Sequence, residues 1–584
     1  MNKTLKKALA LSLIFSVAFL TQGCLKEDLP TDVGTQKQID QSADPASLLI
    51  NGLNGIMVMS DSYGVSGNSC DWGYPCQMFI RDVLGEDFPI ASSAMDYYYS
   101  YIADGTYLNY FALYTFSYYY YLNYNAGLII KQYGHKENPS QQDLNITGVA
   151  LTYRALAYMD LARMFEFKPT GFAIDSRASK VWGLTVPIVT ENTSSEQAKH
   201  NPRAKFYTMY RFIMNDLNTA ENYLEGYNRD SKSAPDQSVV YGLKARLWLE
   251  LATRFTRTPE DLAAQLQHEN DEDGYAPLGI KTAQECYQLA AEYAQKAIDS
   301  GDGYSPLTQS DWYDTTTGFN TANHAWMWCA TFGAKEQIGN MWYSWMCNLS
   351  VESTVFSWAG YWGSQNKSGG CRCINSSLYR KIYKNDWRKK TWVAPKDAGA
   401  DKVPDGYSTL LKDEQWKYLD PYAGIKFHPG QGNTTDYQVG LLCDIPLMRV
   451  EEMYFIKAEA LAHCDGLAEG ISQLNDFMNN FRCTDGKYKC KATTMAEFTD
   501  ELMVQKRLEF WGEGLMFFDY KRLAKKITRY YNNSNFPSTY QLNSMEGYVA
   551  PWLNCYIYDY ERDQNDSVVL NPDPSNAVTA QVDY

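Results

Sequence analysis

The sequence is short of basic residues and of histidine. Its 584 residues include 53 lysines and arginines against 68 aspartates and glutamates, with only six histidines and a formal net charge of -15. A nucleic-acid-binding protein needs a basic surface, and no basic patch is visible along the chain. No histidine lies in a recognisable catalytic motif, so a secreted hydrolase with a Ser-His-Asp set or paired carboxylates is a remote alternative.

Motifs for metal and nucleotide chemistry are also missing. The chain has no CxxC, no HExxH and no phosphate-binding loop, so we expect no metal site, no cofactor and no catalytic residue. Three cysteine pairs are close in sequence, but spacing alone leaves their pairing open: Cys70/Cys76, Cys371/Cys373 and Cys483/Cys490.

The apolar run at the start of the chain is too short to span a membrane. Lysines 3, 6 and 7 precede the run 8–20, and a charged start with a short apolar run indicates an export signal. Gly23-Cys24 then resembles a bacterial lipoprotein signal, although Thr21 stands where leucine is usual. We therefore expect a signal peptide over 1–23, a lipidated Cys24 and a polar tether over 24–45.

The three residues Lys26, Glu27 and Asp28 follow the predicted lipid anchor. They look like the short signal by which some Bacteroidetes lipoproteins reach the outer face of the cell. We expect a protein anchored by lipid to the outer membrane and facing the exterior. No later stretch of the sequence is long enough to cross the bilayer.

Aromatic residues are abundant, with 46 tyrosines and 15 tryptophans. Most are expected in the core, but a ring with a polar edge also suits sugars. The tryptophans are densest between 312 and 362, where Trp326 and Trp328 share one side of a strand-like piece and are core candidates. The predicted ligand contacts are four tryptophans in Gly/Ser/Asn-rich sequence and a second group near the N-terminus: Trp342, Trp345, Trp358, Trp362, and Trp72, Tyr74, Arg81, Asp82.

Helical periodicity dominates the rest of the chain. Apolar residues recur every three or four positions from Phe206 to Leu224 and from Val240 to Phe255, and 450–463 with 466–481 predicts an antiparallel pair. Alanines such as Ala245 and Ala290 permit close helix packing, as in tetratricopeptide units. We expect a mainly α domain over 46–584, with helices in 46–302, a loop-rich insertion with short strands in 303–445, and further helices in 446–584.

The C-terminal part contains ordered sequence blocks around two predicted helices and a closing motif: Arg449, Glu452, Ala458-Glu459-Ala460, Leu474-Asn475, Arg482, Glu509, Glu513-Gly514, Asp519 and Arg522. These blocks resemble the SusD/RagB family of outer-membrane nutrient-binding lipoproteins. Gln505, Lys506 and Met516 depart from the family pattern. The carboxylates Glu459, Glu509, Glu513 and Asp519 are expected in structural ion pairs, with neighbours such as Lys457, Arg507, Lys521 and Arg522.

The resemblance implies a fold and a function. The fold would be a right-handed scaffold of tetratricopeptide-like helix pairs packed against the loop-rich region. The function would be to capture an oligosaccharide and deliver it to a SusC-like TonB-dependent transporter, without catalysis and with lipid as its only membrane contact. Binding of peptides or another nutrient by the same scaffold is the alternative.

Overall fold

The computed structural model describes residues 45–59, 71–91, 109–301, 303–338, 341–364 and 370–575, with only the backbone at 45, 46, 109, 110, 336 and 362–364. The chain divides into two compact units, residues 1–49 and residues 50–584. Of the first unit the structure describes 45–49, the start of a helix. The predicted signal peptide, Cys24 and the Lys26-Glu27-Asp28 signal lie outside the described residues and stay predictions.

The described residues form mainly helices. The helices of eight or more residues are α1 Pro45–Val58, α2 Tyr74–Leu84, α3 Asn109–Ile129, α4 Gln141–Phe165, α5 Phe206–Tyr223, α6 Gln237–Arg257, α7 Pro259–Gln267, α8 Ala283–Asp299, α9 Val450–Cys464, α10 Leu467–Phe481, α11 Met495–Glu509 and α12 Met516–Leu523. A π-helical turn, Ile130–Gly134, continues α3. None of the helices within these ranges has the length and apolar character needed to cross a membrane.

The loop-rich insertion contains short elements. Its helical pieces are Gln309–Trp312, Lys335–Gln337, Trp345–Leu349, Trp358–Ser364, Ser376–Lys381, Trp387–Thr391, Asp413–Trp416, Gly430–Gly432 and Tyr437–Gly440. Strand β1, Trp326–Ala330, pairs antiparallel with β2, Ile445–Arg449, with a register that shifts on either side of Trp328. Trp326 and Trp328 are both fully buried, which confirms their prediction as core residues.

Successive helices pack against each other along the chain. Helix α4 packs between α3 and α5, α8 packs between α6 and α9, and α10 packs on α9. Ala245 of α6 and Ala290 of α8 are both fully buried, as close helix packing requires. A Cβ at Gly148 of α4 would lie 2.8 Å from the side chain of Leu224, the residue that follows α5. Glycine at this position therefore permits α4 to pack closely against the end of α5. The predicted mainly α class with stacked helix pairs is confirmed.

Helix ends are fixed by local chemistry. The side chains of Ser140, Thr282 and Thr494 each accept a hydrogen bond from the third residue of α4, α8 and α11, respectively, and an acidic residue there bonds back to the cap. These reciprocal bonds satisfy backbone donors that a helix start leaves open. The boundaries of three stacking helices are therefore specified by short sequence motifs.

A buried cluster of charges joins the insertion to the C-terminal helices. Glu509 accepts hydrogen bonds from Arg388 at 2.8 Å, Arg482 at 2.8 Å and Arg449 at 3.2 Å. Burial alone would raise the pKa of Glu509, but Arg482, Arg449 and Arg388 outweigh it and lower that pKa. The surrounding charges balance: Arg388, Lys426, Arg449 and Arg482 against Asp386, Glu451, Glu509 and Glu513.

Candidate ligand-binding site

Three half-buried aromatic side chains, Trp342, Trp358 and Tyr361, lie together in the insertion. The ring centroids of Trp342 and Trp358 are 4.8 Å apart at an interplanar angle of 40°. Tyr361 stands edge-on to Trp342, with centroids 5.3 Å apart. Two indoles and a phenol that keep part of their surface in solvent offer apolar faces with polar edges. We call these three residues the aromatic cluster.

The short helix that begins at Trp358 places two of the three rings. Tyr361 follows Trp358 by three residues, so both lie on one side of this helix. The backbone N–H of Gly360 donates to the Ser357 hydroxyl at 2.9 Å, which fixes the first turn. A Cβ at Gly360 would lie 2.1 Å from the carbonyl oxygen of Ser353. Glycine is therefore needed for this helix to pack against the preceding segment.

A fully buried carboxylate anchors that preceding segment. Glu352 accepts hydrogen bonds of 2.7 Å from the Thr409 hydroxyl and from the Leu410 backbone N–H. Its other oxygen lies 2.8 Å from Nδ1 of His428. Glu352 precedes Trp358 by six residues, so these bonds fix the segment that leads into the helix of Trp358 and Tyr361.

The structure treats the four tryptophans predicted in the insertion differently. Trp342 and Trp358 come together, and the Nε1 of Trp358 donates to the backbone oxygen of Trp342 at 3.0 Å. Trp345 is only 2% exposed, and its ring packs edge-on against Phe427 at 5.6 Å. The side chain of Trp362 lies outside the described residues. The geometry thus supports two of the four positions as surface contacts.

The second predicted group does not form a surface site. Trp72, Tyr74 and Arg81 are buried, at 3%, 4% and 1% exposure. Asp82 is half-buried and accepts a hydrogen bond of 2.9 Å from the backbone N–H of Gly514. In this structure these residues make internal contacts, and their role as ligand contacts stays a prediction.

Tyr74 and Arg81 are held by a carboxylate that the sequence reasoning did not connect to them. The Tyr74 hydroxyl and the Arg81 guanidinium each donate to Asp160 at 2.8 Å. Arg163 donates to the other oxygen of Asp160 at 2.7 Å. Burial raises the pKa of Tyr74 to about 12. This network joins α2 to α4 in the interior.

The sequence reasoning missed Tyr361. Its spacing of three from Trp358 on a helix was the signal that could have found it. A metal does not explain the cluster: within the described ranges, no three His, Cys, Asp or Glu side chains are grouped to hold an ion.

Comparison with known proteins gives a family match over the C-terminal part. Residues 359–581 match the SusD family. The SusD resemblance is confirmed. The matched region begins next to Trp358, so it includes Tyr361 and all of the signature residues from Arg449 to Arg522. None of the curated proteins compared is similar in sequence to the chain.

The SusD fold extends over nearly the whole chain. A SusD-like carbohydrate binding protein from Bacteroides vulgatus superposes with a TM-score of 0.62 at 19% identity, covering 90% of this chain and 96% of its own. A SusD superfamily protein from Bacteroides thetaiotaomicron gives 0.63 at 18% identity, covering 91% and 99%. One from Parabacteroides distasonis gives 0.58 at 17% identity, covering 90% and 98%. At these identities the likeness shows the fold.

The SusD signature carboxylates are structural in this chain. Arg522 pairs with Glu459 at 2.6 Å and with Asp519 at 2.7 Å. Glu509 and Glu513 instead pair with Arg388, Arg449, Arg482 and Lys426, which the helix-local reasoning did not name. Of the other neighbours proposed, Lys457 donates to Gln295, Lys521 to two backbone oxygens and Arg507 pairs with Asp87.

Proposed function

We propose that this protein is a cell-surface lipoprotein that binds an oligosaccharide or polysaccharide at the aromatic cluster and delivers it to a SusC-like TonB-dependent transporter. The observation that carries the binding proposal is the pair of half-buried indoles, Trp342 and Trp358, 4.8 Å apart at the surface of the insertion. Sugar rings present C–H groups that pack on such faces. The likeness to a carbohydrate binding protein of the same fold supports this ligand class.

Binding without catalysis fits the chemistry of the signature residues. The four signature carboxylates are buried and form ion pairs with arginine or lysine: Glu459, Glu509, Glu513 and Asp519. Nearby guanidinium and ammonium groups lower the pKa of Glu509 and of Asp519, so neither carboxyl holds a proton to donate at neutral pH. The secreted-hydrolase alternative therefore has no support from these residues.

Peptide binding on the same scaffold is the alternative ligand class. It requires charged groups at the ligand surface to meet the charged and backbone groups of a peptide. The aromatic cluster is instead formed by neutral side chains, which favours sugars. A screen of the purified protein against immobilised polysaccharides and against a peptide library separates the two. Binding to glycans alone supports the proposal, and binding to peptides alone overturns it.

The anchor and its address rest on the sequence. Cys24 would carry the lipid, and Lys26, Glu27 and Asp28 would direct the protein to the exterior of the outer membrane. In the producing cell, Cys24→Ala is expected to lose lipid labelling and membrane retention. Replacement of all three residues of the address by alanine should leave the protein lipidated but inaccessible to external protease. A Cys24→Ala protein that stays anchored contradicts the proposal.

The transporter partner supplies energy that this chain has no motif to provide. Co-purification of a tagged full-length protein from detergent-solubilised outer membranes tests the partnership. We expect a β-barrel transporter in the eluate at near-equal amount. Its absence under conditions that keep the lipoprotein folded contradicts the delivery step.

A further inference from the structure

A second groove lies away from the insertion, beside the first helix pairs. It has a volume of about 550 Å³ and is lined by the segment 188–201. The lining is mostly amide and hydroxyl side chains: Thr190, Asn192, Thr193, Gln197 and Asn201. A cavity of this size accommodates a small ligand of a few rings.

The lining groups have unused hydrogen-bonding capacity. Asn192 uses its amide N–H toward Glu191 at 3.3 Å, and Asn201 uses its own toward the Ile188 carbonyl at 2.8 Å. Gln197 accepts from Ser194 at 2.9 Å. The opposite atom of each amide is open. Within the described residues, no hydrogen bond is made by the side-chain oxygens of Asn192 and Asn201 or by the side-chain nitrogen of Gln197. A donor and two acceptors are therefore available to a ligand.

Buried side chains of α4 hold the segment that lines the groove. The buried Tyr158 hydroxyl bonds to both the N–H and the carbonyl oxygen of Val189, each at 2.8 Å. Arg154 donates to Glu191 at 2.6 Å. Groups fixed by buried side chains lose little freedom when a ligand binds, which favours recognition.

Helix α3 packs against the start of this segment and carries an exposed tyrosine, Tyr124. The Tyr120 hydroxyl donates to the Pro187 carbonyl at 2.6 Å, and a Cβ at Gly127 would lie 3.7 Å from the Glu191 backbone nitrogen. Tyr124 lies between these two contacts on the same face of α3, and it is 64% exposed. Tyr124 thus lies on the side of α3 that contacts Pro187 and Glu191, beside the segment that lines the groove.

The charges at the groove are matched. His200 lies 2.8 Å from Asp566, and Glu196 pairs with Lys199 at 2.9 Å. A ligand with a strong charge of either sign finds no unpaired opposite charge among the groups that line the groove. An uncharged ligand rich in hydroxyl groups fits the remaining donors and acceptors.

From this arrangement we infer that the groove between Thr190 and Asn201, with Tyr124 on the adjoining face of α3, is a second binding site for a neutral oligosaccharide. The ligand class rests on the proposed function, but the site is separate from the aromatic cluster. Two sites on one chain would hold two parts of one polysaccharide, which raises affinity when both can be reached at once.

The test measures binding of neutral hexasaccharides of glucose, xylose and mannose to the full-length protein by saturation-transfer NMR and calorimetry. The Trp342→Ala/Trp358→Ala protein disables the aromatic cluster and should keep weak binding of one hexasaccharide. Adding Tyr124→Ala and Asn192→Ala should weaken that residual binding at least tenfold. Tyr530→Ala, which removes a tyrosine that is 51% exposed elsewhere, is the matched control.

The outcomes separate the two proposals. Complete loss of binding in the double-tryptophan protein, with unchanged binding in the Tyr124→Ala/Asn192→Ala protein, overturns the second site and leaves the proposed function intact. Residual binding that the groove substitutions do not change also overturns it. Binding of no hexasaccharide to the unsubstituted protein overturns both proposals for these ligands.

Discussion

The side chains of Glu352 and His428 are both fully buried and are joined by a hydrogen bond of 2.8 Å. The same carboxylate accepts bonds from Thr409 and Leu410. A single buried acidic group therefore connects three separate segments of the insertion. Trp358 of the aromatic cluster follows Glu352 by six residues, so the stability of this junction bears on ligand binding.

Glu352→Ala should destabilise the protein and weaken ligand binding. It leaves three donors without an acceptor; the His428 ring is the fully buried one, and leaving a buried donor unpaired costs about 1–3 kcal/mol. Glu352→Gln keeps an oxygen for Thr409 and Leu410 and should cost less. Thermal unfolding and calorimetric titration measure both effects. Equal melting temperatures for the unsubstituted protein and Glu352→Ala would refute this role.

Gly360→Ala should disrupt the aromatic cluster. The added Cβ would meet the Ser353 carbonyl at 2.1 Å, so the helix that carries Trp358 and Tyr361 must move away. Gly52→Ala on α1 is the matched control, because nothing lies within 4 Å of its Cβ position. We expect weaker ligand binding and a lower melting temperature for Gly360→Ala alone. The same behaviour in both variants argues against the packing explanation.

Glu509→Gln should be among the most destabilising conservative substitutions. It removes the charge that three buried arginines share, and breaking a buried pair costs about 3–5 kcal/mol. Asp500→Asn is the control, because its pair with Lys525 at 2.5 Å is solvent-exposed and such pairs contribute about 0–1 kcal/mol. Comparison of melting temperatures decides the matter, and similar values for the two variants would refute the account of the charge cluster.

Glu166 should make the protein sensitive to acid. Burial opposes its ionisation, but Arg254 and Lys168 outweigh burial and lower its pKa from 4.5 to about 2. A depressed carboxyl pKa gives stability that is complete above the unfolded value and is lost as the pH falls from about 4.5 toward 2. The shift corresponds to about 3 kcal/mol. Melting temperatures between pH 6 and pH 2 should fall more steeply for the unsubstituted protein than for Glu166→Gln, and parallel curves would exclude this contribution.

Much of the fold could be predicted from local sequence. Apolar residues from Phe206 to Leu217 recur at helical spacing and are buried in α5, because one face of the helix packs on α4. The pair predicted over 450–463 and 466–481 is observed as α9 and α10. Periodicity predicts these faces because it reports on contacts that a helix makes along its whole length.

The site was harder to predict because it depends on contacts distant in sequence. Trp342 and Trp345 share the same local composition, yet Trp345 is buried against Phe427 while Trp342 stays half-buried. In the sequence Tyr74 and Arg81 resemble sugar-binding residues. In the fold both donate to Asp160, which is about 80 positions away in the chain. The second groove is lined by one continuous segment, 188–201, but its common polar residues form no motif that marks the segment as a binding site.

The proposed function requires that Trp342 and Trp358 hold the ligand. Isothermal titration of the best-binding glycan from the screen into the unsubstituted protein, Trp358→Ala and the control Trp182→Ala tests it most directly. Trp182 is also exposed, at 37%, but lies outside the insertion. Loss of a central aromatic contact costs about 2 kcal/mol or more, so Trp358→Ala should bind at least tenfold more weakly while Trp182→Ala binds normally. Unchanged affinity in a folded Trp342→Ala/Trp358→Ala protein would contradict the account.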